Sequence, residues 1–587
     1  MNSQKHSEVT FRELLTLLKP YKIAISIALI IAFISSTLSI FQPILLSKII
    51  DNINDNILGQ TVVFFSLIVL LSAILNSIKQ YILESISENL VSSLRIQIVN
   101  RAIKYKIEVF DTKKIGDLAS ILSADTAQLR GILSQGIVEL VSQTFTMIFA
   151  LIMMFYLDVQ LFGVSLLAVL SLLMCGLLLG KKTRPIAKDL QEVVGELSSE
   201  LERTLRGIRT IRAFLSEDIF IERMSCVVTN ATKIGKKVAI FKSIISGFSN
   251  IALQIMLITI IGIGSIRVAT GIISIGNLSA FIMYVMLVLT PAAMLGGVLS
   301  SINEGLGAYS RIKLALELPV EEDVNSLDVL DKKGNQALQI KNLTFKYNDN
   351  SDKNILNKID ISVNGPGVTA LVGPSGSGKT TIFELIERFY DSDNGLIELY
   401  GNNIYDLPIK VLRSKITFVE QNASIFSGTV LENLQIANQN ASRFDCLNAL
   451  NLVNLFQDIP TEEILDRVIG ESGITLSGGE KQRLSLARAL ISPNDIILLD
   501  ETTSNLDSIN ESKIQQLIKD LSSKKTVLII AHRLSTIQNA DSIYLIREGE
   551  VHDFGTHQEL LSRNKLYKEL VETQFINTEI CGSDKID

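Results

Sequence analysis

The chain has 587 residues, 47% of them hydrophobic and 20% charged, with a net charge of −6 at pH 7. That acidic balance offers no footprint for nucleic acid. Four dispersed cysteines (Cys175, Cys226, Cys446, Cys581) without a C-x-x-C pair argue against a disulfide framework or zinc centre. High apolar content and abundant charge rarely share one soluble domain, and here they are segregated. Apolar stretches crowd roughly the first 300 residues, and charge spreads through roughly the last 250.

In chain order, six segments are uncharged or nearly so: 23–46, 61–77, 137–157, 161–179, 244–266 and 278–299. Each approaches or exceeds the roughly 20 residues that cross about 30 Å of hydrocarbon. Glu139 is the one charge among them. The first segment follows a polar stretch with Arg12, Glu13, Lys19 and Lys22 and has no small-residue cleavage pattern, so it reads as a span rather than a secretory signal.

Basic residues fall after the second and fourth segments, among them Arg95, Arg101, Lys104, Lys106, Lys113, Lys114, Lys181, Lys182, Arg203, Arg206, Arg209 and Arg212. The opposite loops carry mainly Asp51, Asp55, Asp158 and Arg267. The positive-inside rule then places the N-terminus, the basic loops and the C-terminal half in the cytoplasm of a multi-pass cell-membrane protein. Outer loops are short. The two inner connections are long and periodic, as in Leu90, Leu94, Ile98 and Ala102. They read as paired helical struts with a contact helix at each tip, expected at 108–117, with Phe110 and Asp111, and at 211–220, with Phe214 and Glu217.

Past residue 316 a charged linker (317–336) leads to strand-like text. A valine-rich run at 368–372 enters Gly373-Pro-Ser375-Gly376-Ser-Gly378-Lys379-Thr380-Thr381, followed by a helical pattern. This is a phosphate-binding P-loop in strand–loop–helix context. Its glycines turn backbone N–H groups toward phosphate, and the helix N-terminus adds partial positive charge. Lys379 is placed for the β- and γ-phosphates, and the Thr380 hydroxyl for Mg²⁺. A second apolar run, Ile496 to Leu499, ends in Asp500 and Glu501. Asp500 suits the metal side, and Glu501 suits polarising an attacking water. Ser477-Gly478-Gly479 opens another helix and could form a second anion site from backbone donors, but taken alone an ordinary glycine turn with a serine cap is the preferred reading.

In this order the motifs resemble the ATP-binding-cassette (ABC) ATPases. From about residue 10 to 575 the chain resembles the exporters, in which six spans precede one cassette. The resemblance implies a membrane α-helical domain (1–316) followed by an α/β P-loop ATPase domain (337–575) and a polar tail (576–587). It further implies that Tyr347 stacks on adenine, that Gln421 links the metal site to the struts, and that His532 contacts the γ-phosphate. Ser477 and Gly479 would close on ATP held by a second subunit, and residues 504–507 would communicate between the two ATP sites. Phe110-Asp111, Gly116-Asp117 and the text from Gly276 to Phe281 with Pro291 belong to the same likeness.

Glu480 stands where the family usually has Gln, Ser472 where it has Arg, and Asn505 where Ala is common. None of these removes a phosphate or metal group, so activity is expected to survive; a carboxylate at position 480 is expected to weaken closure slightly and leaves the identity of the partner subunit open. Implied partners are a second half-transporter subunit, membrane lipid and an amphipathic drug, lipid or peptide. A homodimer is expected because Glu501 and His532 are both present. A heterodimer, and a sensor or gated channel on the same frame, are the alternatives. His557 reads as structural and His552 as a surface strand residue.

Overall fold

The computed structural model describes residues 10–51, 58–112, 115–323, 336–347, 354–456, 460–470, 473, 476–500, 508–531 and 533–580. The chain forms two compact units, Met1–Ile103 with Lys114–Leu318, and Lys104–Lys113 with Pro319–Asp587.

The main helices before the second unit's sheets are α1 (Lys22–Asp51), α2 (Leu58–Ala102), α3 (Ile107–Thr112), α4 (Ile137–Leu157), α5 (Val159–Arg206), α6 (Ile208–Ala213), α7 (Glu217–Ala269) and α8 (Ile275–Leu316). The six apolar segments fall in α1, α2, α4, α5, α7 and α8. Among the described residues, four helices are long and apolar enough to cross a membrane; the apolar windows described in α5 and α8, Val159–Ser171 and Ile275–Leu289, are shorter. With a rise of 1.5 Å per residue, helices of 45 to 53 residues run about 70–80 Å, more than twice the hydrocarbon thickness. The struts in α2, α5, α7 and α8 are therefore unbroken continuations of the apolar helices, whereas the one leading into α4 is divided into short helices at Ile115–Ser120 and Thr126–Gln135 and turns at Gly136.

Polar residues fasten the short connections. Asp158, extended at φ −161, caps α5 by accepting from the backbone N–H groups of Gln160 and Leu161, both at 2.9 Å. Its other oxygen accepts from Arg267 Nε at 2.6 Å, so an ion pair closes the turn. Asp51 accepts from Ser274 Oγ at 2.5 Å and from the Gly276 N–H at 2.9 Å. A Cβ at Gly276 would lie 2.2 Å from the Ser47 carbonyl, so only glycine admits this approach.

The tip expected at 211–220 lies earlier. α6 spans Ile208–Ala213, and Glu217 already opens α7. Gly207 ends α5, whereas the reversal into α7 uses Leu215 at φ +49. No Gly or Pro marks that turn, so periodicity alone misplaced it.

In the second unit an antiparallel sheet has the order β2-β1-β4-β5, with β1 (Gln336–Phe345), β2 (Leu356–Asn364), β4 (Asn394–Leu399) and β5 (Asn402–Asn403). A six-stranded sheet combines β3 (Gly367–Val372), β6 (Ile416–Val419), β7 (Ile496–Asp500), β8 (Thr526–Ile530), β9 (Ser542–Arg547) and β10 (Glu550–Gly555). Its order is β10-β9-β3-β8-β7-β6, with only β10 antiparallel to its neighbour. β7 and β8 are buried along their whole length, as parallel strands covered on both faces require.

The first strut tip belongs to this second unit. Tyr105 bridges Val320, the Lys106 N–H donates to the Pro319 carbonyl (3.1 Å), and the Glu321 N–H donates to the Lys104 carbonyl (2.8 Å). Lys106 Nζ pairs with Asp391 at 2.8 Å, Val109 is buried, and the Tyr390 hydroxyl donates to Asp111.

Candidate nucleotide site

The P-loop turns from β3 into helix α9 (Lys379–Ile386). Two glycines are sterically required. A Cβ at Gly373 would sit 2.0 Å from the Ile546 carbonyl of neighbouring β9. Gly378 has φ +97 with Leu356 Cδ2 2.6 Å from where its Cβ would be. Ser375 and Gly376 form the exposed crest of the loop.

Lys379 is buried and folds back over the loop, its Nζ donating to the carbonyls of Gly373 (2.9 Å) and Pro374 (2.8 Å). An ammonium held by backbone carbonyls at the centre of a phosphate loop can exchange those partners for charged phosphate oxygens, which bind it more strongly. Next to it, Thr380 Oγ1 donates to Asp500 Oδ2 at 3.0 Å. Register explains the meeting: Asp500 ends β7 opposite Ile530, and Ile530 lies opposite Leu371 at the end of β3. A hydroxyl and a carboxylate converging beside a phosphate loop are the oxygen donors that a hard divalent cation prefers.

Gln421 lies two residues beyond β6, whose Val419 pairs with Leu499, so the chain brings it to the same sheet edge as Asp500. Immediately before Gln421, burial pushes the Glu420 carboxyl above its usual range. Glu501 follows Asp500 and His532 follows Ala531, but Glu501, His532, Ser472 and residues 504–507 lie outside the described residues.

Tyr347 is exposed, and its hydroxyl contacts Thr381 Oγ1 (2.8 Å) and Glu384 Oε2 (2.6 Å) on α9. Its ring stands edge-on to Phe345 and Tyr390, with centroids 5.0 Å away in each case. Burial pushes the Tyr347 phenol and the Glu384 carboxyl above their ordinary values. Asp111, Tyr390, Tyr347 and Thr381 thus form one run of contacts from the strut tip to the P-loop helix. Sequence reading missed Tyr390 and Glu384. Their only signal was position: Glu384 falls one turn beyond Thr380, and Tyr390 lies just past the same helix.

Ser477 and Gly479 begin α10 (Gly478–Ile491), where Ser477 and Glu480 form a reciprocal capping box. The Glu480 carboxylate accepts from the Ser477 N–H at 2.7 Å. Burial disfavours its charge, but the hydrogen bonds from Ser477 prevail and hold the carboxyl below the usual range. A negative charge therefore already occupies the N-terminus of this helix. His557 Nδ1 meets the buried Tyr567 hydroxyl at 2.7 Å, a structural contact, and His552 is exposed on β10.

Residues 25–292 match the family described as ABC transporter transmembrane region, and residues 356–504 match the family described as ABC transporter. The chain is 32% identical to mouse ATP-binding cassette sub-family B member 10, mitochondrial, covering 98% of this chain and 82% of that protein. It is 30% identical to the ATP-dependent lipid A-core flippase of Yersinia pseudotuberculosis, covering 96% and 98% respectively. In fold it is similar to a bacterial Atm1-family ABC exporter solved with ATP bound, with TM-score 0.77, 23% identity, and coverage of 94% of this chain and 98% of that one. A P-loop whose threonine meets the acid at the end of β7, fused behind a helical transmembrane region, places this chain in the ABC transporter family as an ATP-hydrolysing half-transporter of the exporter type.

Proposed function

We propose that two copies of this chain form a homodimer in the cell membrane that uses Mg²⁺-ATP to export an amphipathic drug, lipid or peptide. The observation that carries the reading is the 3.0 Å contact of Thr380 with Asp500 at the carboxyl edge of a parallel sheet, on the same chain as a transmembrane region. Thr380 and Asp500 hold Mg²⁺, which neutralises phosphate charge, and Lys379 binds the β- and γ-phosphate oxygens. Gln421 contacts the metal side, Glu501 polarises the attacking water, and His532 holds the γ-phosphate. Tyr347 leaves its hydroxyl partners enough to stack on adenine, while Ser477 and Gly479 approach the nucleotide of the other copy. The N-terminus and the cassette face the cytoplasm, as the basic inner loops require. Similarity to a lipid A-core flippase and to an Atm1-family exporter supports transport outward.

The test is ATP hydrolysis by the purified chain in lipid, with ATP-driven accumulation of a fluorescent amphiphile in inside-out vesicles. Both should occur in the wild type and vanish in Glu501→Gln. Hydrolysis that appears only when a second polypeptide is added would overturn the homodimer. Hydrolysis without accumulation of any drug, lipid or peptide probe would overturn export.

A further inference from the structure

Within the first unit, a cavity of about 300 Å³ opens among α1, α2, α4 and α8, and its wall is mostly polar. Five serines, an asparagine, a glutamine and a threonine share it with Lys79 and Glu139, the only charged residues of the described lining. Lys79 Nζ bonds Glu139 Oε2 at 2.8 Å, and Gln143 Nε2 donates to Glu139 Oε1 at 2.6 Å. The lysine side chain is 5% exposed and the glutamate 27%, so the pair sits inside the helical unit with its carboxylate side the more open. Ionisable groups buried among membrane-spanning helices are costly and mark pathways or binding sites.

Two further features point the same way. Ser36 Oγ and Ser142 Oγ meet at 3.0 Å, and Ser35 Oγ donates to the Ser72 carbonyl at 3.3 Å. Each hydroxyl keeps capacity for another bond. On α8, Pro291 has no N–H to give the Leu287 carbonyl one turn earlier, and both residues line this cavity. Irregular hydrogen bonding at membrane depth is tolerated where it faces such a cavity.

The lining is net neutral. A headgroup with net charge would enter without a counter-charge, because each member of the pair is already bonded, and an unpaired charge in a low-dielectric site is strongly penalised. A net-neutral headgroup rich in hydroxyls can donate to Glu139 and the serines and accept from Lys79. We propose that this cavity is the headgroup site for the transported amphiphile, and that it selects a net-neutral, polyhydroxyl headgroup over an anionic or cationic one. The volume lies at the low end for ligand pockets, which suits a headgroup whose apolar tail stays outside. The assignment rests on the export reading.

The test is equilibrium binding of radiolabelled octyl glucoside, below its micellar concentration, to the nucleotide-free full chain in lipid nanodiscs, with octyl phosphate and octylammonium as competitors. Octyl glucoside should bind saturably, with each charged probe competing at least tenfold more weakly than unlabelled octyl glucoside. Glu139→Gln should narrow the gap for octyl phosphate only, and Lys79→Met for octylammonium only. The double variant Lys79→Met/Glu139→Met, which retains neutrality, should lose about tenfold in octyl glucoside binding. A charged probe that matches octyl glucoside in the wild type would overturn the proposal. So would single variants that shift both charged probes alike, or a folded double variant that binds as tightly as the wild type. Because no ATP is present, saturable binding without later ATP-driven accumulation would sink the export reading and leave the site standing.

Discussion

The two units obey one burial rule in two solvents. In the second, most buried side chains are apolar, as in Leu343, Phe383, Leu498 and Ile546, and the buried polar ones include Lys379, Thr381 and Asp500 at the nucleotide site and Glu387 beside Arg413. In the first, many large apolar side chains point outward, such as Val63 at 67% exposure and Leu167 at 71%, while Ser36, Ser47, Ser72, Ser87 and Lys79 are inside beside apolar residues such as Phe281 and Ile260. Lipid tails supply no hydrophobic drive between helices, so small and polar residues make the contacts there. The lesson is that a buried charge means different things in the two halves. In the cassette buried Lys379 belongs to a loop that binds phosphate, and among the apolar helices the Lys79–Glu139 pair lines a cavity.

The comparison breaks most visibly if the buried pair of the first unit is separated. Glu139→Met strands the Lys79 ammonium and should cost about 3–5 kcal/mol of stability, whereas Lys79→Met/Glu139→Met should recover most of it. Thermal melting in nanodiscs reads both, and equal losses in the single and double variants would contradict the pairing. In the cassette, Lys379→Ala removes the ammonium now held by the Gly373 and Pro374 carbonyls. Hydrolysis should fall by about 10²–10³-fold, as for loss of a preorganised charge stabiliser. Phosphate release checks the number, and the melting transition should barely move.

Glu387 sharpens the contrast through pH. It is buried beside Arg413, and burial pushes its carboxyl up to about 7, with Arg413 opposing. The folded state therefore holds a proton that the unfolded chain releases near the ordinary carboxylate value. Stability of the second unit should fall as pH rises from about 4.5 to about 7, by at most about 3 kcal/mol. Glu387→Gln should flatten that slope and raise Tm above pH 7. An unchanged profile would show that the carboxylate is already ionised. The smallest effect belongs to Glu480→Gln. Glutamine preserves the capping box, so stability should hold, while removing the negative charge at the start of α10 should lower the apparent KM for ATP about 2- to 5-fold. An equal or higher KM would mean that this helix end does not approach nucleotide.

Much of this was legible in the chain because the physics is local. A spanning helix satisfies its own backbone, so its length and apolar content declare it. A P-loop needs glycines, a lysine and a threonine at fixed spacing, so text from Gly373 to Thr380 declares that. Glu139 also stood out as the one charge among the apolar segments, but its partner did not. Lys79 lies two residues past the second segment as first bounded and reaches Glu139 only because α2 continues unbroken into the strut.

What the sequence determined by itself was the order of the two domains, the apolar helices and the phosphate loop, since each rests on contacts within a few residues. Tertiary structure decided the rest. It joined Asp500 to Thr380 across 120 positions and made residues 104–113 part of the second unit through Tyr390 and Pro319. It also closed a neutral, serine-lined cavity around Lys79 and Glu139. Contacts of that range depend on register and packing between elements, and no local spacing encodes them.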